Sequence, residues 1–175
     1  MEKLYSNIIG MPVFLDDVPR AVNTVKDVVI DPESGKLIAF VVDISKNEVI
    51  APVDVVSLSD SIKVNDSRAI EDGSNILRLE EVNKKNARFI HNKVETEGGD
   101  YIGRVFDLTI NGNTFELAKI HVAKGLLGLF RYDTRIIGVK NIVEVLPEKI
   151  VVKDGLKTVK EEIKGEVRVE DMAVS

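Results

Sequence analysis

Two histidines and a pair of aspartates are the residues of this chain whose types could support acid–base or metal chemistry. His91 and His121 are its only histidines, and it has no cysteine. Imidazole nitrogens bind metals and exchange protons near neutral pH, but a site needs further ligands at a spacing that no motif here supplies. We therefore expect both histidines to be structural, at the surface or half-buried. We expect neither a metal nor a cofactor.

Asp27 and Asp107 occupy the same point of two similar segments, 80 residues apart. Two carboxylates can act as a general acid and a general base. A short carboxylate at the end of a strand also accepts backbone N–H groups of the adjoining turn, and we favour that structural role. The sequence contains no glycine-rich phosphate loop, no G-x-S-x-G elbow and no thiol nucleophile. We expect a protein that is not an enzyme.

One segment combines basic and large apolar residues. From Lys119 to Lys140 the chain has five basic residues against the single acid Asp133, and the sequence G-L-L-G-L-F occupies residues 125–130. Four large apolar side chains in a loop at residues 124–135 would cover their own domain, pack between domains, or bind a partner. The flanking arginines suit an acidic helix, a membrane surface or the acidic first part of another copy. The candidate partner contact consists of Leu126, Leu127, Leu129, Phe130, Arg131 and Arg135.

The elements that must position these residues are strands. Apolar residues recur mostly at every second position and are rich in Val and Ile, which is typical of strands with one buried face. Thr24 to Asp31 and Leu37 to Asp43 flank a Pro-Glu-Ser-Gly turn and predict a hairpin. Further strands are predicted at residues 48–51 and 61–64, with a turn or single helical turn at 53–56. The predicted fold class is mostly β.

The same order of segments recurs about eighty residues later. Identical residues coincide at an offset of 80: Val25 with Val105, Asp27 with Asp107, and Ile30 with Ile110. Asn111-Gly112-Asn113, a strong hairpin signal, replaces the first turn, and extra residues around 123–133 lengthen the second segment. We predict a duplication. The predicted core consists of Val25, Val28, Ile30, Ile38, Val41, Ile50, Val105, Ile110, Leu117, Ile120, Ile137 and Ile142.

Both segments resemble the PRC-barrel family, whose members run from a G-x-V-x-D step through a hairpin to a final Ile-x-Val strand. The resemblance covers residues 6–66 and 87–155. Gly103 stands at the glycine of the step in the second segment, whereas the first has Asn23 there. The resemblance implies two tandem small open β-barrels of about six strands each. The family uses this barrel without catalysis in a photosynthetic reaction-centre subunit, in a ribosome-maturation factor and in archaeal cell-division proteins.

The expected organisation is two domains joined by a linker. We expect a first domain at residues 1–67, a linker at 68–86, a second domain at 87–155 and a tail at 156–175. The spacing of Ile76, Leu79 and Val82 predicts a short helix in the linker. Similar spacing after Leu156 predicts a helix in the tail, with an added strand at residues 165–169 as the alternative.

Charge bears on the class of partner. The net charge is −5, with 6 Lys and Arg against 11 Asp and Glu in residues 1–66, and 18 against 18 in the rest. Nucleic acid is therefore an unfavoured partner, because phosphate binding needs an excess of positive charge. No apolar run approaches the roughly 20 residues of a membrane span, and the N-terminus does not resemble a signal peptide, so we expect a cytoplasmic protein.

The function expected from these observations is a non-enzymatic protein-interaction adaptor. The family resemblance places such an adaptor in an archaeal cell-division or envelope-associated assembly. Exposed strand edges make a homodimer one candidate assembly. The alternative is an RNA-binding or ribosome-maturation module, similar to the family's factor for small-subunit RNA processing.

Overall fold

The structure, a computed structural model, describes residues 1–126, 130–156 and 159–160. The fold is mostly β, as predicted. Within the described residues, no helix has the length and apolar character needed to cross a membrane.

The first half follows the predicted order of strands. Its elements are β1 (Glu2–Leu4), α1 (Tyr5–Ile8), β2 (Pro12–Leu15), β3 (Asn23–Thr24), β4 (Asp27–Ile30), β5 (Leu37–Asp43), β6 (Glu48–Ile50), β7 (Val55–Leu58), β8 (Ile62–Val64) and β9 (Glu71–Asp72). The predicted hairpin is β4–β5, and its turn closes because Asp31 accepts the Glu33 N–H at 3.0 Å and Gly35 adopts a left-handed φ of 71°. The turn predicted at residues 53–56 is a 3-10 turn at Pro52–Asp54, and Val55 and Val56 belong instead to β7.

A helix, α2 (Leu77–Lys85), precedes the second half. The elements of the second half are β10 (Lys93–Thr96), β11 (Tyr101–Asn111), β12 (Glu116–Leu126), β13 (Phe130–Gly138), β14 (Ile142–Val145), β15 (Lys149–Val152) and β16 (Val159–Lys160). The linker helix is confirmed: α2 buries Leu79 and Val82. A 3-10 turn at Val139–Asn141 precedes β14, as Pro52–Asp54 precedes β7.

The strand pairings of the two halves correspond one to one. In the first half β2 pairs antiparallel with β3 and parallel with β8, β8 pairs with β7, and β5 joins β4 to β6. In the second half β10 pairs antiparallel with β11 and parallel with β15, β15 pairs with β14, and β12 joins β11 to β13. Two differences are that β11 is continuous where β3 and β4 are separate, and that β11 also pairs with β1. The pairings of the described residues close no barrel.

One hydrophobic core serves both halves. Buried residues of the first half, such as Val25 and Phe40, belong to the same cluster as Val105 and Ile120 of the second. Most of the predicted core residues are buried; Ile38, Val41 and Ile142 are half-buried. Ile38 and Val41 pack instead in a smaller cluster with Leu79 of α2. The helix therefore covers part of β5 that strand alternation turns away from the main core.

Two expectations for the second half are wrong. The described residues of the predicted loop, 124–126 and 130–135, belong to β12 and β13, with Lys124 opposite Tyr132 and Leu126 opposite Phe130. Strand structure suits the aromatic and β-branched residues of β13. The tail is not helical at Val159–Lys160, which forms β16 beside β13. The alternative strand at residues 165–169 lies outside the described residues.

Candidate interaction surfaces

The N-terminal segment binds the second half. β1 pairs antiparallel with the end of β11, with Glu2 opposite Asn111 and Leu4 opposite Thr109. In α1, which follows directly, Ser6 donates its N–H and its Oγ–H to the Asp107 carboxylate at 3.1 and 2.6 Å. Asp107 also accepts the N–H of Leu108 at 2.8 Å. These bonds satisfy a carboxylate that is only 8% exposed.

Asp27 holds the matching position in the first half with different partners. It accepts the Val28 N–H at 2.8 Å and the Tyr5 hydroxyl at 2.9 Å, and Arg88 approaches to 3.5 Å. Burial, together with the charge of Asp27, raises the pKa of Tyr5 above its ordinary value. Asp27 and Asp107 thus both accept backbone N–H groups, as predicted, although from the next residue rather than from a turn.

Both histidines have structural contacts. His121 is buried in β12, where a ring nitrogen lies 2.7 Å from Thr109 Oγ1 and the ring meets Phe106 edge-on. His91 has a left-handed φ of 67° and donates its N–H to the Val105 carbonyl at 2.9 Å. Among the described residues no group of three or more metal-ligating side chains occurs.

A cavity of about 230 Å³ lies beside β4. It is lined by the whole of β4, by residues 87–91, by Val82 and Asn83 from the last turn of α2, and by Tyr5 and Leu108. Apolar side chains such as Phe89 and Ile30 form its interior, and Asp27 is among the polar residues that line it. This is a concave site with a few polar groups, which is the general form of a binding pocket.

Exposed valines occur at the same position in both halves. β7 and β14 are terminal strands of their sheets, and each has a bulge, at Val56 and at Val143 respectively. The two side chains are 57% and 49% exposed. A bulge on a terminal strand disrupts the regular backbone hydrogen bonding that another strand would need. A partner would therefore contact mainly the apolar side chains of these edges.

The predicted contact at residues 124–135 is described only in part. Leu126 and Phe130 lie opposite each other at the ends of β12 and β13, and Arg131 lies opposite Gly125. Arg135 donates to the Asp133 carboxylate at 2.8 Å, so its charge is engaged within its own hairpin. Leu127 and Leu129 lie outside the described residues, as do the side chains of Leu126, Phe130 and Arg131.

Sequence reasoning missed the ion pairs that hold α2 in place. Arg78 donates to both oxygens of Asp31 at 2.9 Å and to Glu33 at 2.7 Å, and Lys85 also binds Glu33. Burial alone would raise the pKa of Asp31, but hydrogen bonds from Ser34, the Glu33 N–H and Arg78 hold it below its ordinary value. The sequence shows acidic residues at 31 and 33 and basic residues at 78 and 85, but opposite charges in distant segments do not by themselves predict which residues pair.

Comparison with known proteins yields one result for the first half. No curated protein matches the chain. Residues 1–72, which run from β1 to β9, match the family of the PRC-barrel domain.

Proposed function

We propose that this protein is a non-enzymatic interaction adaptor built from two PRC-barrel-like units, one in the matched residues 1–72 and one in residues 87–155. Support for a second unit comes from backbone detail as well as from strand order. Gly10 and His91 both have left-handed φ angles and donate to the carbonyls of Val25 and Val105, each at 2.9 Å. A shared unusual backbone conformation at matching positions favours common descent of the two halves.

The observation that carries the interaction function is the repeated exposure of valine at Val56 and Val143. Single exposed apolar residues are common on proteins. Here the position repeats on a bulge of the terminal strand in both halves, and the exposed Val53 lies close to Val56 in the chain. Two such edges on one molecule suit an adaptor that holds two partners or joins copies of itself.

The setting of this adaptor follows from the family resemblance. A cell-division or envelope-associated assembly in the cytoplasm is the setting we propose, with another protein or a second copy of this chain as the partner. The segment of residues 124–135 is a further proposed contact, and its basic residues suit an acidic protein surface or a membrane surface. The net charge of −5 makes RNA the less favoured partner.

The test replaces both valines with a charged residue. The double variant Val56→Lys with Val143→Lys places two charges on the exposed edges without removing a core contact. We expect it to lose self-association in light scattering, or to lose proteins that the wild type captures from its host.

A matched control is Ile44→Lys with Leu77→Lys, which alters two exposed apolar side chains away from β7 and β14. Thermal melts establish that all variants fold. If the valine variant keeps the same self-association and the same captured proteins as the control, the edges are not contacts and this basis for an adaptor function is lost.

A further inference from the structure

The outer edge of β4 differs from the matching edge of β11. β4 is a terminal strand, and within the described part of the chain only β5 pairs with it. The matching part of β11, Thr109 to Asn111, pairs with β1. By the offset of 80, the counterpart of that paired edge is residues 29–31.

The difference arises from the chain that precedes each half. Gly10 corresponds to His91, and counting back by the same offset of 81 makes residues 83–85 the counterparts of β1. Those residues form the last turn of α2 and cannot pair with a strand. The cavity of about 230 Å³ lies between this helix end and β4. On β4, the last turn of α2 and this cavity therefore take the place that β1 has on β11.

Asp27, which lines the cavity, also has different surroundings from Asp107, its counterpart in the second half. Ser6 gives Asp107 both an N–H and a hydroxyl, but the counterpart of Ser6 is Ala87, which has no hydroxyl. The side chain of Asp27 is 32% exposed. The whole residue Asp107 is only 8% exposed. An ionised carboxylate accepts several hydrogen bonds, so Asp27 has capacity for a further donor from a ligand.

We propose that the β4 groove, formed by Asp27–Ile30, residues 87–91 and the last turn of α2, binds an extended peptide segment of a partner protein. The peptide runs antiparallel to β4, as β1 runs along β11, places an apolar side chain in the cavity and donates an N–H to Asp27. The inference rests on the proposed interaction function and names one site for it. The cavity is smaller than the roughly 300 Å³ at which pockets for drug-sized ligands begin, which suits a side chain better than a whole small molecule.

The test uses the peptide that fills the counterpart edge. A synthetic Glu-Lys-Leu-Tyr-Ser-Asn peptide, the chain's own residues 2–7, is titrated into the intact protein while backbone amide signals are followed by NMR. We expect saturable shifts at residues 28–30 and 87–91. A peptide of the same composition in scrambled order should bind about tenfold more weakly or not at all.

Two neighbouring substitutions locate the site. Asn83→Trp places a large ring at the mouth of the cavity, whereas Lys84→Trp adds the same ring one residue away, outside the cavity lining. We expect Asn83→Trp to weaken binding at least about tenfold and Lys84→Trp to leave it unchanged. Both residues are exposed, so both variants should fold.

Three results overturn the proposal. They are the absence of shifts along β4 at millimolar peptide, equal binding of the scrambled peptide, and shifts from free amino acids that match those from the peptide, which would assign the cavity to small molecules. This test measures peptide binding at β4, whereas the test of the adaptor function measures the effect of substituting Val56 and Val143 on association. Either can therefore fail while the other succeeds.

Discussion

Lys36 and Glu116 lie opposite each other in an antiparallel bridge, although 80 residues separate them. On either side of the bridge, Leu37 donates its N–H to the Phe115 carbonyl and Leu117 donates its N–H to the Gly35 carbonyl, each at 2.8 Å. The two bonds are equivalent under the offset of 80, because Leu117 is the counterpart of Leu37 and Phe115 is the counterpart of Gly35. The two hairpin turns therefore meet about a local two-fold axis that passes between Lys36 and Glu116.

Gly35 is the first position at which this junction can be tested. Its φ of 71° is left-handed, and a Cβ there would have only ordinary contacts, 3.7 Å from Leu117 Cβ and Val139 Cγ2. Gly35→Ala should therefore cost about 1–2 kcal/mol from backbone conformation alone, measured by urea unfolding. Gly138→Ala is the control, because Gly138 has a negative φ and a Cβ there would have only an ordinary contact, 4.0 Å from Asn141 Nδ2. Equal stability of the two variants would contradict the expectation.

Gly103 tests a close approach between strands. A Cβ at this position would lie 2.5 Å from the Ala123 carbonyl oxygen in β12, a distance that requires the backbone to move. We expect Gly103→Ala to lower the free energy of unfolding by about 3 kcal/mol, in urea or thermal denaturation. The control is Asn23→Ala at the corresponding position of the first half, where a side chain is already present. A Gly103→Ala protein as stable as the wild type would show that β11 and β12 separate readily.

Asp27 and Asp107 should differ in what they contribute to stability. Removing the Asp107 carboxylate leaves Ser6 and the Leu108 N–H without their acceptor in a buried site, whereas Asp27 is one-third exposed and water can replace it. We expect Asp107→Ala to cost about 3 kcal/mol and Asp27→Ala about 1 kcal/mol in urea unfolding. The reverse order would mean that the N-terminal segment is not held through Ser6.

Strand order could be predicted from the sequence because it depends on local alternation and turn residues. The turn after β11 shows where such reasoning ends: Asn111-Gly112-Asn113 predicted a hairpin, but the left-handed φ of its turn, 54°, is at Phe115 and not at Gly112. Gly112 instead donates its N–H to the Met1 carbonyl at 2.7 Å, and a Cβ there would lie 3.2 Å from that oxygen. The glycine accommodates a distant segment, and local patterns carry no information about that contact.

The shared core and the candidate surfaces were less predictable for the same reason. Two tandem barrels were expected, but which faces of the two halves meet depends on contacts such as Ser6 with Asp107, which lie 101 residues apart. The outer edge of β4 has no partner strand because the last turn of α2 occupies the place that corresponds to β1. A helix was predicted there, yet its consequence for β4 appears only when the halves are compared in three dimensions.

The ion pair between Asp31 and Arg78 should make stability depend on pH. The pKa of Asp31 is lowered in the folded protein, so its contribution is fully present above the unfolded pKa, about 3.9, and is lost as the pH falls through the folded pKa. At pH 6, Asp31→Asn should lower the free energy of unfolding by about 1.5–3 kcal/mol. The difference from wild type should shrink below about pH 4. If the difference in free energy of unfolding between wild type and Asp31→Asn stays constant from pH 6 to pH 3, the ionised Asp31 carboxylate is not its cause.

The segment of residues 124–135 provides the last prediction, because large apolar side chains left in water forgo burial worth roughly 1.5–3 kcal/mol each. Leu127→Asp with Phe130→Asp should leave the melting temperature unchanged and abolish association, measured by light scattering, pull-down and sedimentation with anionic liposomes. Ile44→Asp with Leu77→Asp is the matched control, since it adds the same charge at two exposed apolar positions elsewhere. A lower melting temperature with unchanged association would mean that these residues pack on their own half, and the contact at residues 124–135 would be abandoned.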